Sequence, residues 1–179
     1  MKFLSICACA IAAGLSAKTA SAQAGIYALF TGANLDTTQT TGSAPNTTTA
    51  NVATKLYGPT FGLYGDIPTP VVKIGGDIRG ELLSGSGEQH YNGVIGPRIS
   101  VNLPVVNLKP YGEILFGFGS YKTTTTNATL HVDYEYVVGV DRNFFSLLDW
   151  RVLEFSYCDY YNGSIPTKGL STGLVLRIP

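Results

Sequence analysis

Charge is scarce in this chain. Only 13% of its 179 residues are Asp, Glu, Lys or Arg, against about 25% in ordinary globular domains, and twelve basic residues balance twelve acidic ones. A nucleic-acid binder needs a basic face, and a disordered chain needs low hydrophobicity with high net charge. With 45% hydrophobic residues and no net charge, the sequence excludes both. Long apolar runs are also missing. Beyond the first 22 residues no window reaches the roughly 18 apolar residues that a spanning helix needs, and no helical periodicity is visible. Any membrane association must therefore rest on strands. Cysteine is rare as well, with Cys7, Cys9 and Cys158 the only three.

The N-terminus has the layout of a secretory signal peptide. Lys2 is followed by an apolar run from Phe3 to Leu15, and the small residues Ala20, Ser21 and Ala22 precede Gln23. Cleavage is expected after Ala22, with Ala24 as the alternative. The apolar run is too short for a membrane anchor, and Cys9 lies too early in it to be a lipidated cysteine. Residues 1–22 are thus assigned to the leader and 23–179 to a single domain. That domain carries ten basic and twelve acidic residues, a formal charge of −2, and Cys158 alone. It has no second cysteine for a staple.

What is present after residue 23 is period-two alternation. From Leu130 to Asp141, Leu130, Val132, Tyr134, Tyr136, Val138 and Val140 fall on one face, and His131, Asp133, Glu135, Gly139 and Asp141 on the other. A half-buried strand alternates in this way. At about 12 residues it is longer than the usual five or six of a soluble sheet and suits a tilted membrane strand. Similar alternation marks 72–82, 95–101, 111–119, 153–158 and 170–178, and blurrier alternation marks 24–35 and 55–65, giving eight strands. Their links alternate in character. Polar links are expected at 36–54, 84–91, 123–129 and 162–166, and short Pro-marked or apolar ones at 66–70, 102–108 and 143–149. An antiparallel up-and-down barrel with both termini on one side has this rhythm.

Charges and glycines share one strand face, branched and aromatic residues the other. In a soluble lipocalin-like barrel the apolar face would line the lumen. Long strands, glycine on the charged face and aromatics near strand ends favour the opposite orientation, with lipid outside. The expected aromatic girdle comprises Tyr57, Tyr64, Tyr121, Phe144, Phe145, Trp150, Tyr160 and Tyr161. The expected lumenal ion-pair network comprises Asp77, Arg79, Glu81, Arg98, Glu113, Glu135, Glu154 and Arg177. Counting about a turn centred between Val105 and Val106 places Arg98 opposite Glu113. A loop centred between Gly87 and Glu88 places Asp77 opposite Arg98, and Arg177 falls a diagonal step from Glu154. A charge buried alone costs several kcal/mol, so pairing is required.

These features resemble the small outer-membrane β-barrel family that includes the OmpA transmembrane domain and OmpX. The resemblance rests on the leader, the eight strands, Leu-Tyr-Gly-Pro-Thr-Phe-Gly-Leu-Tyr-Gly at 56–65, Gly-Pro-Arg at 96–98, Lys-Pro-Tyr-Gly-Glu at 109–113 and Trp-Arg-Val-Leu-Glu-Phe-Ser-Tyr at 150–157. It implies an eight-stranded antiparallel transmembrane β-barrel, a monomer in the bacterial outer membrane with periplasmic termini. Members usually end in an aromatic residue read by the assembly machinery, whereas this chain ends Leu176-Arg177-Ile178-Pro179, so a variant signal would be needed. Fold does not settle function within such a family.

Chemical motifs are sparse. Nucleophilic catalysis needs a hydroxyl or thiol beside an oriented base. His131 with Asp133 is the nearest approach, but the His-x-Ser-Asn pattern of lipid-A deacylating barrels is missing. His90 and His131 lack metal-ligand spacing, Cys158 reads as a packed lumenal thiol, and Gly85-Ser86-Gly87 has no following helix to make a phosphate cradle. The expectation is a non-enzymatic protein without metal or cofactor, with a structural or adhesion-like role. Its partners would be outer-membrane lipid and an extracellular ligand at the 36–54 loop. A narrow porin-like channel is the alternative, ahead of a secreted lipocalin-like binder or a lipid-A-modifying enzyme.

Overall fold

A computed structural model describes residues 23–41, 48–67, 72–103, 105–122, 128–161 and 163–178. The expected cleavage residues Ala20 and Ala22 lie outside them. Eight strands follow in chain order: β1 (Gln23–Thr41), β2 (Thr48–Ile67), β3 (Val72–Gly85), β4 (Glu88–Val101), β5 (Leu108–Lys122), β6 (Thr129–Asn143), β7 (Leu148–Tyr160) and β8 (Gly163–Ile178). Each pairs antiparallel with its neighbours, and β1 pairs with β8 from Ala24↔Ile178 to Leu35↔Thr167, closing the barrel. Closure matters because an open sheet would leave two edges of unpaired N–H and C=O groups.

All eight expected strands are present, and most run longer than the alternation alone marks. The polar link at 36–54 is largely strand. β1 and β2 stay paired to Thr41↔Thr48, whereas β1 leaves β8 at Leu35 and β2 joins β3 only from Tyr57↔Ser84. Residues 36–41 and 48–53 therefore form a two-stranded extension beyond the barrel rim, while Leu56 is still buried in the interior beside Leu35 and Leu83. Polar composition pointed to a loop, but the Thr and Val content favours extended backbone, and a hairpin outside the barrel needs no apolar face. The 84–91 link is likewise not a loop. Gly85 pairs with Glu88, leaving a two-residue turn with Ser86 at φ 51° and Gly87 at φ 81°, the left-handed pair of a type I′ hairpin. At 162–166, β8 already begins at Gly163, which pairs with Tyr160.

At the opposite end two of the links are tied by backbone bonds. Leu103 N–H donates to Leu108 O (3.0 Å), and Phe145 N–H to Leu148 O (2.8 Å).

The two faces have opposite chemistry. Phe30, Phe61, Ile95, Phe116, Val138 and Leu174 are exposed on the outside, while Asp77, Arg79, Glu81, Arg98, Glu135 and Glu154 are buried inside. The contrast is large, with Phe30 62% accessible and Glu154 0%. This inverts a water-soluble barrel.

Close approach decides where glycine stands. Tyr27 faces Gly62 across the β1–β2 ladder, Tyr64 faces Gly25, and Tyr111 faces Gly139 between β5 and β6. A Cβ at Gly62 would lie 2.4 Å from the Tyr27 hydroxyl, and one at Gly139 would lie 2.4 Å from that of Tyr111. Each glycine makes room for an inward tyrosine ring.

Candidate functional site

The barrel interior holds the dense chemistry of the molecule. Three guanidiniums organise it. Arg79 on β3 reaches across to Glu135 on β6 (2.8 Å) and Glu154 on β7 (2.5 Å). Arg151 on β7 binds Asp141 (2.8 Å) and Glu154 (2.9 Å). Arg98 on β4 pairs with Glu113 on β5 and lies 3.5 Å from Asp141 and 3.7 Å from Asp66. All three are buried. Charge-assisted bonds of this kind are the strong ones.

Tyrosine rings separate the cations. Arg98 lies over Tyr64 and Tyr111, 4.2 and 4.0 Å from their centroids, and Arg151 lies over Tyr27 and Tyr111 at 4.4 and 4.5 Å. An aromatic face attracts a guanidinium through its quadrupole. The hydroxyls serve the carboxylates, Tyr27 donating to Asp77 (2.7 Å) and Tyr111 to Glu154 (2.5 Å). A hydroxyl chain extends the network towards β8, with Thr31 within 2.6 Å of Thr60 and 2.8 Å of Ser171, and Thr60 donating to Glu81 (3.2 Å).

The expected interior set divides. Asp77, Arg79, Glu81, Arg98, Glu113, Glu135 and Glu154 are buried, and Arg98 lies opposite Glu113 in the ladder. Asp77 does not pair with Arg98. The hairpin centres between Ser86 and Gly87, one residue earlier than counted, which moves the register by two and sets Gly75 opposite Arg98 and Gly96 opposite Asp77. Arg177 does not reach Glu154, whose ladder partner is Ser171. It sits at the rim by the 144–147 turn, 3.1 Å from Asp149, and donates to the Phe145 and Ser146 carbonyls.

Arg151, Asp141, Asp66, Tyr27 and Tyr111 were not in the expected network. Arg151 has the parity of outward Leu153, yet it points inward because the β7–β8 register shifts between Arg151 and Glu154. A bulge adds a residue and flips the face. Asp141 and Tyr111 were already on the charged face, and parity alone could have enrolled them.

The expected girdle divides as well. Tyr57, Phe144, Phe145, Trp150 and Tyr161 are exposed, but Tyr64, Tyr121 and Tyr160 are buried inside. These three share parity with inward Asp66, Gly119 and Cys158, so side-chain alternation overrides nearness to a strand end. His131 is exposed, 5.0 Å in ring-centroid distance from Tyr160.

The outer end of the interior, under the 86–87 turn, differs in composition. His90, Asp133 and Cys158 are buried there, and their donor atoms lie within 4.8 Å of one another. His90 Nδ1 is 3.1 Å from the Tyr160 hydroxyl. The Asn92 amide approaches Cys158 Sγ at 3.9 Å.

No protein-family model and no curated protein matches the chain. Solved structures do match. Neisserial surface protein A (NspA) superposes with a TM-score of 0.52 at 11% identity, covering 86% of this chain and 97% of its own. Ail, the attachment invasion locus protein of Yersinia pestis, also gives 0.52 at 11% identity, over 87% of this chain and 98% of its own. The fold is that of the small eight-stranded outer-membrane barrels. At this identity the likeness concerns the fold and carries no residue roles. A third structure, Ail in complex with the heparin analogue sucrose octasulfate, gives 0.50 at 11% identity, over 88% of this chain and 99% of its own.

Proposed function

We propose that the chain is an integral protein of the bacterial outer membrane, a monomeric barrel of the OmpA and OmpX type, with a structural or adhesion-like role at the cell surface. The observation that carries the reading is the inversion of polarity. Aliphatic and aromatic side chains are exposed all round the barrel, and the charged ones are buried inside it. In water the outer face would be a large apolar patch of the kind that drives association; in a bilayer it is the lipid contact. The interior ion pairs make the lumen a plug that passes no ions.

The surface role then belongs to what projects beyond the rim. The 36–41 and 48–53 extension replaces the expected loop as the partner-contacting element, because its ladder carries it past the last β1–β8 pair. NspA is a neisserial surface protein and Ail the attachment invasion locus protein of Yersinia pestis, and the same class of role is proposed here. Cell fractionation tests the reading. The protein is expected in the outer-membrane fraction and is released only by detergent; recovery in the soluble periplasm or medium overturns it. In planar bilayers no stable single-channel steps are expected, and reproducible steps would establish the porin-like alternative.

A further inference from the structure

His90, Asp133 and Cys158 come from three different strands, β4, β6 and β7, and the curl of the sheet brings His90 to the directly paired β6 and β7. All three are buried, with at most 4% of their surface accessible. Imidazole nitrogen, carboxylate oxygen and thiolate sulfur are the ligand types of zinc. A tetrahedral zinc with bonds of about 2.0–2.3 Å holds its ligand atoms roughly 3.5 Å apart, and these donor atoms lie within 4.8 Å of one another.

Two of the three side chains that would face an ion carry donor atoms without other partners. Among the described residues, His90 Nε2 and both Asp133 oxygens are buried with no hydrogen bond, and Asp133 joins no ion pair, unlike the carboxylates gathered around the three arginines. An uncompensated buried carboxylate is costly, and an ion would compensate it. His90 is oriented for the task. Its Nδ1 lies 3.1 Å from the Tyr160 hydroxyl; in the tautomer with the proton on Nδ1 that bond leaves Nε2 as the free ligand nitrogen, the usual outer support of a metal-bound histidine. The space for the carboxylate is also built in, since a Cβ at Gly119 would lie 1.8 Å from Asp133 Oδ2.

We propose that His90, Asp133 and Cys158 form a binding site for a zinc-class divalent cation inside the outer end of the barrel. On binding, the Cys158 thiol loses its proton to solvent, and thiolate and carboxylate together neutralise the two charges of the ion. The site ties β4, β6 and β7 together at the end of the barrel under the 86–87 turn.

Titration of Co2+ into detergent-solubilised protein purified from membranes tests this, because a cobalt–thiolate charge-transfer band reports sulfur ligation directly. One equivalent is expected to give the band, and Zn2+ is expected to displace it. Cys158→Ser abolishes it, and His90→Gln and Asp133→Asn each weaken binding about tenfold or more. His131→Gln leaves it unchanged, because that side chain is exposed and outside the cluster. Folding of each variant is read from heat-modifiable gel migration. If a ligand variant fails to fold, Tyr160→Phe, which removes only the hydroxyl bound to His90, is expected to weaken binding. The proposal is overturned by a wild-type protein without the band, by a band persisting in Cys158→Ser, or by folded His90→Gln and Asp133→Asn proteins of unchanged affinity.

Discussion

At the scale of single residues, the consequences of burial dominate. Arg151 neutralises Asp141 and Glu154 in an interior where its side chain is fully covered, so Arg151→Ala leaves two carboxylates short of a partner. Breaking a buried pair in this way costs about 3–5 kcal/mol, to be read as a lower urea midpoint for unfolding from detergent micelles. The exposed pair Lys168–Asp36 (3.1 Å) is half open to water, and Lys168→Ala is expected to cost about 0–1 kcal/mol. Equal losses from the two substitutions would remove the buried network from the stability of the barrel. Gly139→Val tests the tyrosine cradles. Its side chain would occupy the position of the Tyr111 hydroxyl, which drives that ring from between Arg98 and Arg151 and lowers the same midpoint.

At the scale of elements, strand faces follow from alternation and strand pairing follows from turns. The β4–β5 register was legible, because a turn centred between Val105 and Val106 places Arg98 opposite Glu113. The β3–β4 register was not, because Ser86-Gly87 is the turn rather than Gly87-Glu88, and one residue of error in a turn moves every pair by two. The left-handed φ of Gly87 gives a direct check. Gly87→Val forces a β-branched residue into that region at about 1–3 kcal/mol and is expected to slow refolding into micelles, whereas Ser86→Asn creates the preferred Asn-Gly hairpin pair and is expected to raise stability. Bulges are hidden for a related reason. The β7 irregularity that turns Arg151 inward leaves two residues opposing one, a matter of the partner strand as much as of its own sequence. Polar composition also misled at 36–54, where β1–β2 pairing continues past the last β1–β8 pair. Deleting residues 37–52 is expected to leave the barrel folded, by heat-modifiable migration, while removing the surface contact.

For the whole molecule, the distribution of charge is the governing quantity. The outer belt is apolar on every strand, and a charge placed there meets lipid under the proposed reading. Phe116 is exposed near the middle of β5, and Phe116→Arg is expected to cost about 2–4 kcal/mol in bilayers. A negligible cost would argue for a barrel that lives in water. The interior cannot be assembled by counting along hairpins. Arg79 meets Glu135 and Glu154 at sequence separations of 56 and 75, across the lumen rather than along a ladder. His90 on β4 likewise meets the β6–β7 neighbours Asp133 and Cys158 past the intervening β5, and the sequence spacing of the three resembles no metal motif.

The sequence by itself determined the strand number, the period of two and the sign of each face, because these depend only on residue order and on the geometry of an extended chain. It also limited the interior to a small set of charges that had to be paired. Which charges meet, which tyrosines turn inward and which three donors converge under the 86–87 turn were decided by the tertiary structure. Closure sets the width of the lumen and the residues that face one another across it, and one turn or bulge displaced by a residue changes every such meeting.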